Sequence, residues 1–316
     1  AALACGKTIL LKPSQETPFA ALRMAELALE AGFSAEAFNC VPGAGTVAGT
    51  ALVEHASVGK IAFTGSTPVG QEIMRACAAT VKRVSLELGG KSPNIVFADA
   101  DLDAAARGAL TGIFYGKGEV CAAGSRLLVE DTIHDALRDK MLERAKKMVA
   151  GDPLNPKTRL GAIVSREQME RVLGYIESGK REGATLLTGG ERTPVNGKGY
   201  FVQPTIFGDV QPAMTIAREE IFGPVLAMMT FTGGVDGAVP LANDTIYGLA
   251  AGIWTKDIQK ALRTARAVKA GTVWINTYNM YDAASPFGGY KQSGFGRELG
   301  AAALEGYTQV KSVWLA

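Results

Sequence analysis

Apolar residues cluster along the first hundred positions in short blocks separated by amphipathic stretches. Thr8-Ile9-Leu10-Leu11 is a block of strand length, and residues 38–41, 60–63 and 81–86 are three more. Leu22, Ala25 and Leu29 fall at helical spacing, a stripe that Thr17 and Pro18 open and Gly32 ends. Residues 46–54 and 67–79 predict two further helices, the second opened by Thr67-Pro68. Strand alternating with helix is the pattern of a parallel sheet covered on both faces. Beyond residue 99 the alternation continues, with helices over 102–112, 133–150 and 165–182 and a strand over 126–129. Strands over 225–231 and 271–276 flank a helix over 257–268, and the glycine-rich stretch 189–199 predicts an exposed hairpin or loop.

Composition narrows the functional classes. A chain of 316 residues, 47% hydrophobic and 20% charged, is long enough for two globular domains. Thirty-three basic against 31 acidic residues leave a net charge of +2, which predicts neither a nucleic-acid nor a membrane partner. No apolar stretch of transmembrane length and no secretory pattern is found. Cys5, Cys40, Cys77 and Cys121 make no C-x-x-C pair, which predicts a reducing, cytoplasmic setting. His55 and His134 both stand in polar surroundings, so neither a metal site nor a Ser-His-Asp relay is expected. The chain opens at Ala1 and runs directly into a strand, which predicts the C-terminal part of something longer.

Chemistry concentrates where glycine meets a reactive group. Gly118-Glu119-Val120-Cys121-Ala122-Ala123-Gly124 sets one cysteine among small residues ahead of an apolar strand, either a nucleophile with room for substrate or a structural thiol. Leu86-Glu87-Leu88-Gly89-Gly90 puts a carboxylate in an apolar strand end, where it is raised toward a useful general base or held in an ion pair. Phe63-Thr64-Gly65-Ser66-Thr67-Pro68 runs a strand into a helix start, suiting a phosphate or simple N-capping equally. Gly43-Ala44-Gly45 fits a short dinucleotide string, yet the acid expected about 20 residues on is missing, and a tight turn explains it as well. Glu219-Glu220 places two acids at a strand mouth, either one of them held by a cation or ligand or both solvated in a turn. The aromatic loops 277–281 and 285–291 suit either a hydrophobic substrate mouth or packing on the core.

In this order, the segments resemble the NAD(P)-dependent aldehyde dehydrogenase superfamily, of which the chain is similar to the C-terminal portion. The matching stretches are Leu11-Lys12-Pro13-Ser14, Phe63–Ser66, Leu86–Gly90, Gly118–Arg126, Glu219–Val225 and Pro286–Tyr290 with Ser293–Gly300. The resemblance implies an α/β fold: an incomplete Rossmann-like parallel-sheet cofactor domain over 1–89 and an α/β catalytic domain over 90–292. A return segment and oligomerisation strand would occupy 293–316, with Tyr307–Leu315 as that strand. It also implies oxidation of an aldehyde to a carboxylic acid, with Cys121 attacking the carbonyl, hydride passing to NAD or NADP, and Glu87 activating water against the thioester. Lys12 would bind the adenosine ribose, Gly65 and Ser66 the pyrophosphate, and Glu220 the nicotinamide ribose with Phe222 beside it. Ser14, Gln15, Gly45, Val69 and Leu88 complete the implied cofactor contacts, while Tyr281 and Phe287 would line the aldehyde tunnel. The implied partners are a small-molecule aldehyde and, in the full-length form, further copies of the chain in a dimer or tetramer.

Departures from the family pattern shape three expectations. The upstream asparagine that helps hold the oxyanion is not in this sequence, and one such donor is worth about 10²–10³ in rate. Gly116 and Glu119 stand where the family has Asn and Gln, and an anionic Glu119 would raise the thiol unless its side chain is turned away. Gln15 replaces the acid that clamps the ribose 2′-hydroxyl, which predicts that NADP is tolerated beside NAD. Two rival readings remain: a cofactor-independent esterase using the same cysteine, and an inactive fragment or scaffold.

Overall fold

The alternation of strand and helix resolves into two units in the computed structural model, which describes residues 1–316. Ala1–Glu87, Tyr281–Gly288 and Gly294–Ala316 make up the first, and Leu88–Met280 with Gly289–Ser293 the second.

In the first unit, β1 (Ile9–Leu11) and β2 (Phe38–Cys40) pair in parallel across α1 (Phe19–Glu30). The expected cap at Thr17 is not used. Pro18 takes the N-cap position without a side-chain bond, and Gly32 turns the chain out of the helix at φ 91°. The apolar stripe of α1 buries nothing, and Phe19, Met24 and Leu29 are exposed. A wide helical turn over Gly45–Gly49 leads into α2 (Thr50–Glu54), then β3 (Lys60–Thr64), α3 (Thr67–Ala78) and β4 (Arg83–Glu87). The strand expected from residue 81 begins two residues later because Val81 takes the left-handed conformation at φ 51°. It ends on Glu87, level with Thr64 of β3, and the Gly65 N–H donates to the Glu87 carbonyl at 3.1 Å.

The second unit carries β5 (Pro93–Val96), α4 (Leu102–Phe114), β6 (Arg126–Glu130), α5 (His134–Ala145) and α6 (Arg166–Arg181). There follow β7 (Thr185–Thr188), β8 (Thr205–Gly208), α7 (Thr215–Arg218), β9 (Val225–Phe231) and α8 (Gly234–Asn243). It closes with β10 (Tyr247–Gly248), β11 (Ala250–Trp254), α9 (Ile258–Ala267), β12 (Thr272–Ile275) and β13 (Tyr290–Lys291). Seven strands form one sheet in the order β12-β11-β5-β6-β9-β8-β7, parallel throughout except for β7 with β8. Alternate residues of each strand feed opposite faces, as a period of two requires. Ile95, Leu128, Ala227 and Met229 pack against α6 and α8, while Val96, Leu127, Val129 and Met228 pack against α4 and α5. The helix expected over 133–150 stops at Ala145.

Back in the first unit, β14 (Gly294–Phe295) pairs antiparallel with β4, Gly294 opposite Glu87, so that β4 is the middle strand of three. After α10 (Ala302–Glu305), the Arg83 guanidinium donates to the Glu305 and Thr308 carbonyls at 2.9 and 2.8 Å. Residues 308–316 pair with no strand, and Val310, Val313, Trp314 and Leu315 are exposed. No helix is long and apolar enough to cross a membrane.

Candidate active site

The segment between α4 and β6 is bent by three successive left-handed residues: Gly116 at φ 57°, Lys117 at 62° and Gly118 at 72°. Gly118 has no alternative, since a β-carbon there would collide with the Gly223 carbonyl. Glu119 follows with its carboxylate engaged: Oε2 lies 2.8 Å from Lys117 Nζ, and Oε1 accepts the Val164 N–H at 3.0 Å. The anion expected to oppose the thiol is therefore balanced. Cys121 is half-buried at the end of this bend, and Gly90, lacking a β-carbon, makes room for its carbonyl. Beyond it Ala122 and Ala123 are buried, and Gly124 N–H donates to the Gly112 carbonyl at 3.0 Å. Tyr278, read from sequence only as one of a cluster of loop aromatics, is 6% exposed. Its ring fits a slot of Gly112, Gly124 and Gly252, and its hydroxyl donates to the Ala122 carbonyl at 2.9 Å.

A cleft opens beside this loop, lined by Gly90, Gly118, Val120, Ala123, Glu220 and Phe222. Glu220 Oε1 accepts the Gly90 N–H at 3.0 Å. Burial raises its carboxyl, and that N–H, Lys91 and Arg171 oppose the rise. Glu219, its neighbour, instead accepts the Tyr175 hydroxyl at 2.7 Å, so the two acids are separated by their partners. Phe222 sits at φ 56°, a strained conformation for a bulky residue. Gln168 holds it there, donating to the Ile221 and Phe222 carbonyls at 3.1 and 2.7 Å, while Arg171 donates to the Glu220 carbonyl at 3.4 Å. Leu88 is buried, with its N–H on the Ser293 carbonyl at 2.9 Å.

Lys91 went unnoticed in the sequence. It is 1% exposed, its Nζ has no hydrogen-bond partner, and burial together with Arg126 pushes the amine down to about 7. Arg126 is equally buried, yet it donates to the carbonyls of Lys91, Leu241 and Ala242.

In the first unit, Glu87 is the outstanding group. Both carboxylate oxygens are shielded from solvent and neither has a hydrogen-bond partner, so the ion pair considered from sequence is not made. Burial, with the like charge of Glu298, raises this carboxyl to about 8 against the pull of Arg297. Lys12 Nζ donates to the Pro13 and Gly43 carbonyls, and Ser14 and Gln15 are exposed beside it. Gly45 has open space where a β-carbon would stand. Gly65 owes its small size to the Phe63 ring beneath it rather than to an outside group. Ser66 is the N-cap of α3 but makes no side-chain cap bond, which leaves the start of a 12-residue helix open to an anion. Val69 in its first turn is exposed. Tyr281 and Phe287 meet edge-on at 5.6 Å between centroids.

Within the first unit the expected cofactor and base residues thus lie at or just beyond the ends of β1, β2, β3 and β4; within the second, Cys121, Leu88, Glu220 and Phe222 gather about Gly89-Gly90. Lys91, Gln168, Arg171, Tyr278 and Glu298 were not singled out beforehand as site residues. Only Lys91 left a trace, a lone ammonium between two glycines and an apolar strand.

The family model for the aldehyde dehydrogenase family matches residues 1–313. Aldehyde dehydrogenase 1A1 of Gallus gallus is 52% identical over 313 residues, 99% of this chain and 61% of that protein. An NAD+ complex of aldehyde dehydrogenase from Bacillus cereus superposes with a TM-score of 0.97 at 52% identity, covering 99% of this chain and 63% of that one. Indole-3-acetaldehyde dehydrogenase of P. syringae, solved as a C302A mutant with NAD+ and IAA, gives 0.97 at 48% identity over 99% and 64%. The chain spans a little over 60% of the length of these relatives.

Proposed function

Since the chain belongs to the aldehyde dehydrogenase family, we propose that the protein oxidises an aldehyde to its carboxylic acid with Cys121 as nucleophile and Glu87 as general base. The observation that carries this reading is the unpartnered, solvent-shielded carboxylate of Glu87, raised to about 8. A carboxyl with no structural partner and an affinity for protons near neutrality is suited to taking one from water.

The Cys121 thiolate adds to the carbonyl carbon; the C–S bond forms and the carbonyl electron pair moves to oxygen. When bound, a nicotinamide dinucleotide supplies the hydride acceptor that oxidation at this carbon requires. Glu87 then removes a proton from water as its oxygen attacks the thioester, and the C–S bond breaks to release the acid and restore the thiolate. Residues of this chain suit such a cofactor. Lys12, Ser14 and Gln15 would hold the adenosine ribose, and the uncapped start of α3 with Ser66, Val69, Gly65 and the open Gly45 the pyrophosphate. Glu220 would take the nicotinamide ribose, between Leu88 and Phe222. NAD is the proposed cofactor, with NADP tolerated because Gln15 carries no charge; solved relatives are NAD+ complexes. Cofactor binding is assigned to 1–89, chemistry to 90–292 and self-association into a dimer or tetramer to 293–316, with Tyr281 and Phe287 at the aldehyde entrance.

Aldehyde and NAD supplied together should yield reduced nicotinamide, followed by absorbance, and Cys121→Ala should abolish it without lowering the melting temperature by more than a few degrees. Turnover persisting in a folded Cys121→Ala protein would remove the cysteine from the mechanism.

A further inference from the structure

Glu119 stands two residues ahead of the proposed nucleophile, and its side chain is only 6% exposed. A buried carboxylate is retained only where it is paired and hydrogen-bonded. Both conditions are met: Lys117 Nζ lies 2.8 Å from Oε2, and the Val164 N–H donates to Oε1 at 3.0 Å. Lys117 is shaped for this contact. Its backbone is left-handed at φ 62°, between two glycines that take such angles at no cost, so it is the strained member of the run. Its side chain is 29% exposed, and its stem packs over Gly161, whose added β-carbon would lie 3.6 Å from Cδ. The pair therefore joins the Cys121 loop to residues 161–164 at two points.

We propose that Lys117 and Glu119 form an ion-pair latch that positions the Cys121 loop and balances, at the thiol, the charge of the carboxylate two residues ahead of it. The inference rests on reading Cys121 as the nucleophile. An unbalanced anion near a thiol disfavours the thiolate and an unbalanced cation favours it. The charged group that lines the adjacent cleft is Glu220, opposed by Lys91 and Arg171; all three are left in place by changes at 117 and 119.

The test is the pH dependence of iodoacetamide alkylation at Cys121, followed by peptide mass spectrometry because Cys5 and Cys40 are also partly exposed. Lys117→Gln leaves Glu119 unbalanced and should move the alkylation midpoint up by at least ~0.5 pH unit, about threefold slower reaction below the midpoint. Glu119→Gln keeps an acceptor for the Val164 N–H, leaves Lys117 unbalanced and should move the midpoint down by a similar amount. The double variant should return close to the wild-type midpoint. Shifts of the two single variants in the same direction, or none beyond ~0.2 pH unit, would overturn the latch. Should one single variant fold poorly in a thermal melt, the other against the double variant gives the same test of sign. Cys121 alkylated indifferently to both changes sinks this proposal alone, whereas a Cys121 that resists alkylation throughout sinks the nucleophile reading with it.

Discussion

The ionisation of Glu87 gives the sharpest test of the hydrolytic step. Its carboxyl is raised to about 8, first by burial and then by Glu298, with Arg297 opposing. A base with that midpoint is about one-tenth ionised at pH 7 and about nine-tenths ionised at pH 9. If Glu87 takes the proton from water, release of an acyl group from Cys121 should accelerate about tenfold across that interval. The step can be isolated with an activated ester such as p-nitrophenyl acetate, which acylates the cysteine without a dinucleotide, by measuring deacylation after the initial burst. Glu298→Gln removes the like charge and should carry the rising limb down. Arg297→Gln removes the opposing charge and should carry it up. Glu87→Gln should flatten the limb while leaving the burst in place. A rising limb that survives Glu87→Gln, or one that moves upward in Glu298→Gln, would refute the assignment.

Other expectations are simpler. Lys91→Met removes an amine held near 7 when folded against 10.5 when unfolded. The folded chain binds fewer protons than the unfolded one across that window, so wild-type stability rises with pH there; the variant should be more stable by up to about 5 kcal/mol near pH 6, a gain that fades by pH 10. Chemical denaturation at both pH values measures this, and an advantage that does not shrink would exclude the buried charge as its source. Tyr278→Phe leaves the ring in its glycine slot and removes the bond to the Ala122 carbonyl. Denaturation should show a loss of about 1 kcal/mol, and a loss above about 3 kcal/mol would mean that the ring packing itself was disturbed. Gln15→Glu should raise the preference for NAD over NADP at least tenfold in fluorescence titrations of the two cofactors; an unchanged ratio would show that this position does not meet the 2′ substituent.

Much of the fold could be read from the sequence because period and length agreed. Val225–Phe231 is a seven-residue run, apolar but for Thr230, and Asp257 followed by a helical stripe does cap α9, accepting from the Gln259 and Lys260 N–H groups. Elements built from small or mixed residues were missed. Strand β11 reads Ala-Ala-Gly-Ile-Trp, with too little side-chain volume to mark a strand, yet every residue is buried between β12 and β5. Helix α8 contains Pro240, a residue that ordinarily argues against a helix interior. Helix α5 was read too long because nothing local stops it at Ala145; the Ala150–Leu160 bridge in the loop beyond is a long-range contact no window of sequence contains. The stripe of α1 was visible and real in spacing, but spacing does not say whether anything covers it.

The candidate site was legible for a related reason, and incompletely so. Glycines flank Glu87, Cys121 and Glu220 because backbone must pass close by, and that crowding is a local signal: Gly89 and Gly90 lack β-carbons where Glu220 and the Cys121 carbonyl lie. What crowding cannot announce is the proton each group carries, since that depends on partners far along the chain. Glu87 precedes Gly89-Gly90 in sequence and Glu220 lies against Gly89, and both acids are half-buried. Burial raises both carboxyls, but at Glu220 the Gly90 N–H, Lys91 and Arg171 oppose the rise, while Glu87 has no hydrogen bond and Glu298 adds to the rise against Arg297 alone. A carboxylate meant to accept ribose hydroxyls must stay ionised, and one meant to take a proton from water must want it back near neutrality. Under the roles proposed above, ribose binding at Glu220 and proton uptake at Glu87 would draw on these two environments, and Glu298, 211 positions beyond Glu87, supplies part of the difference.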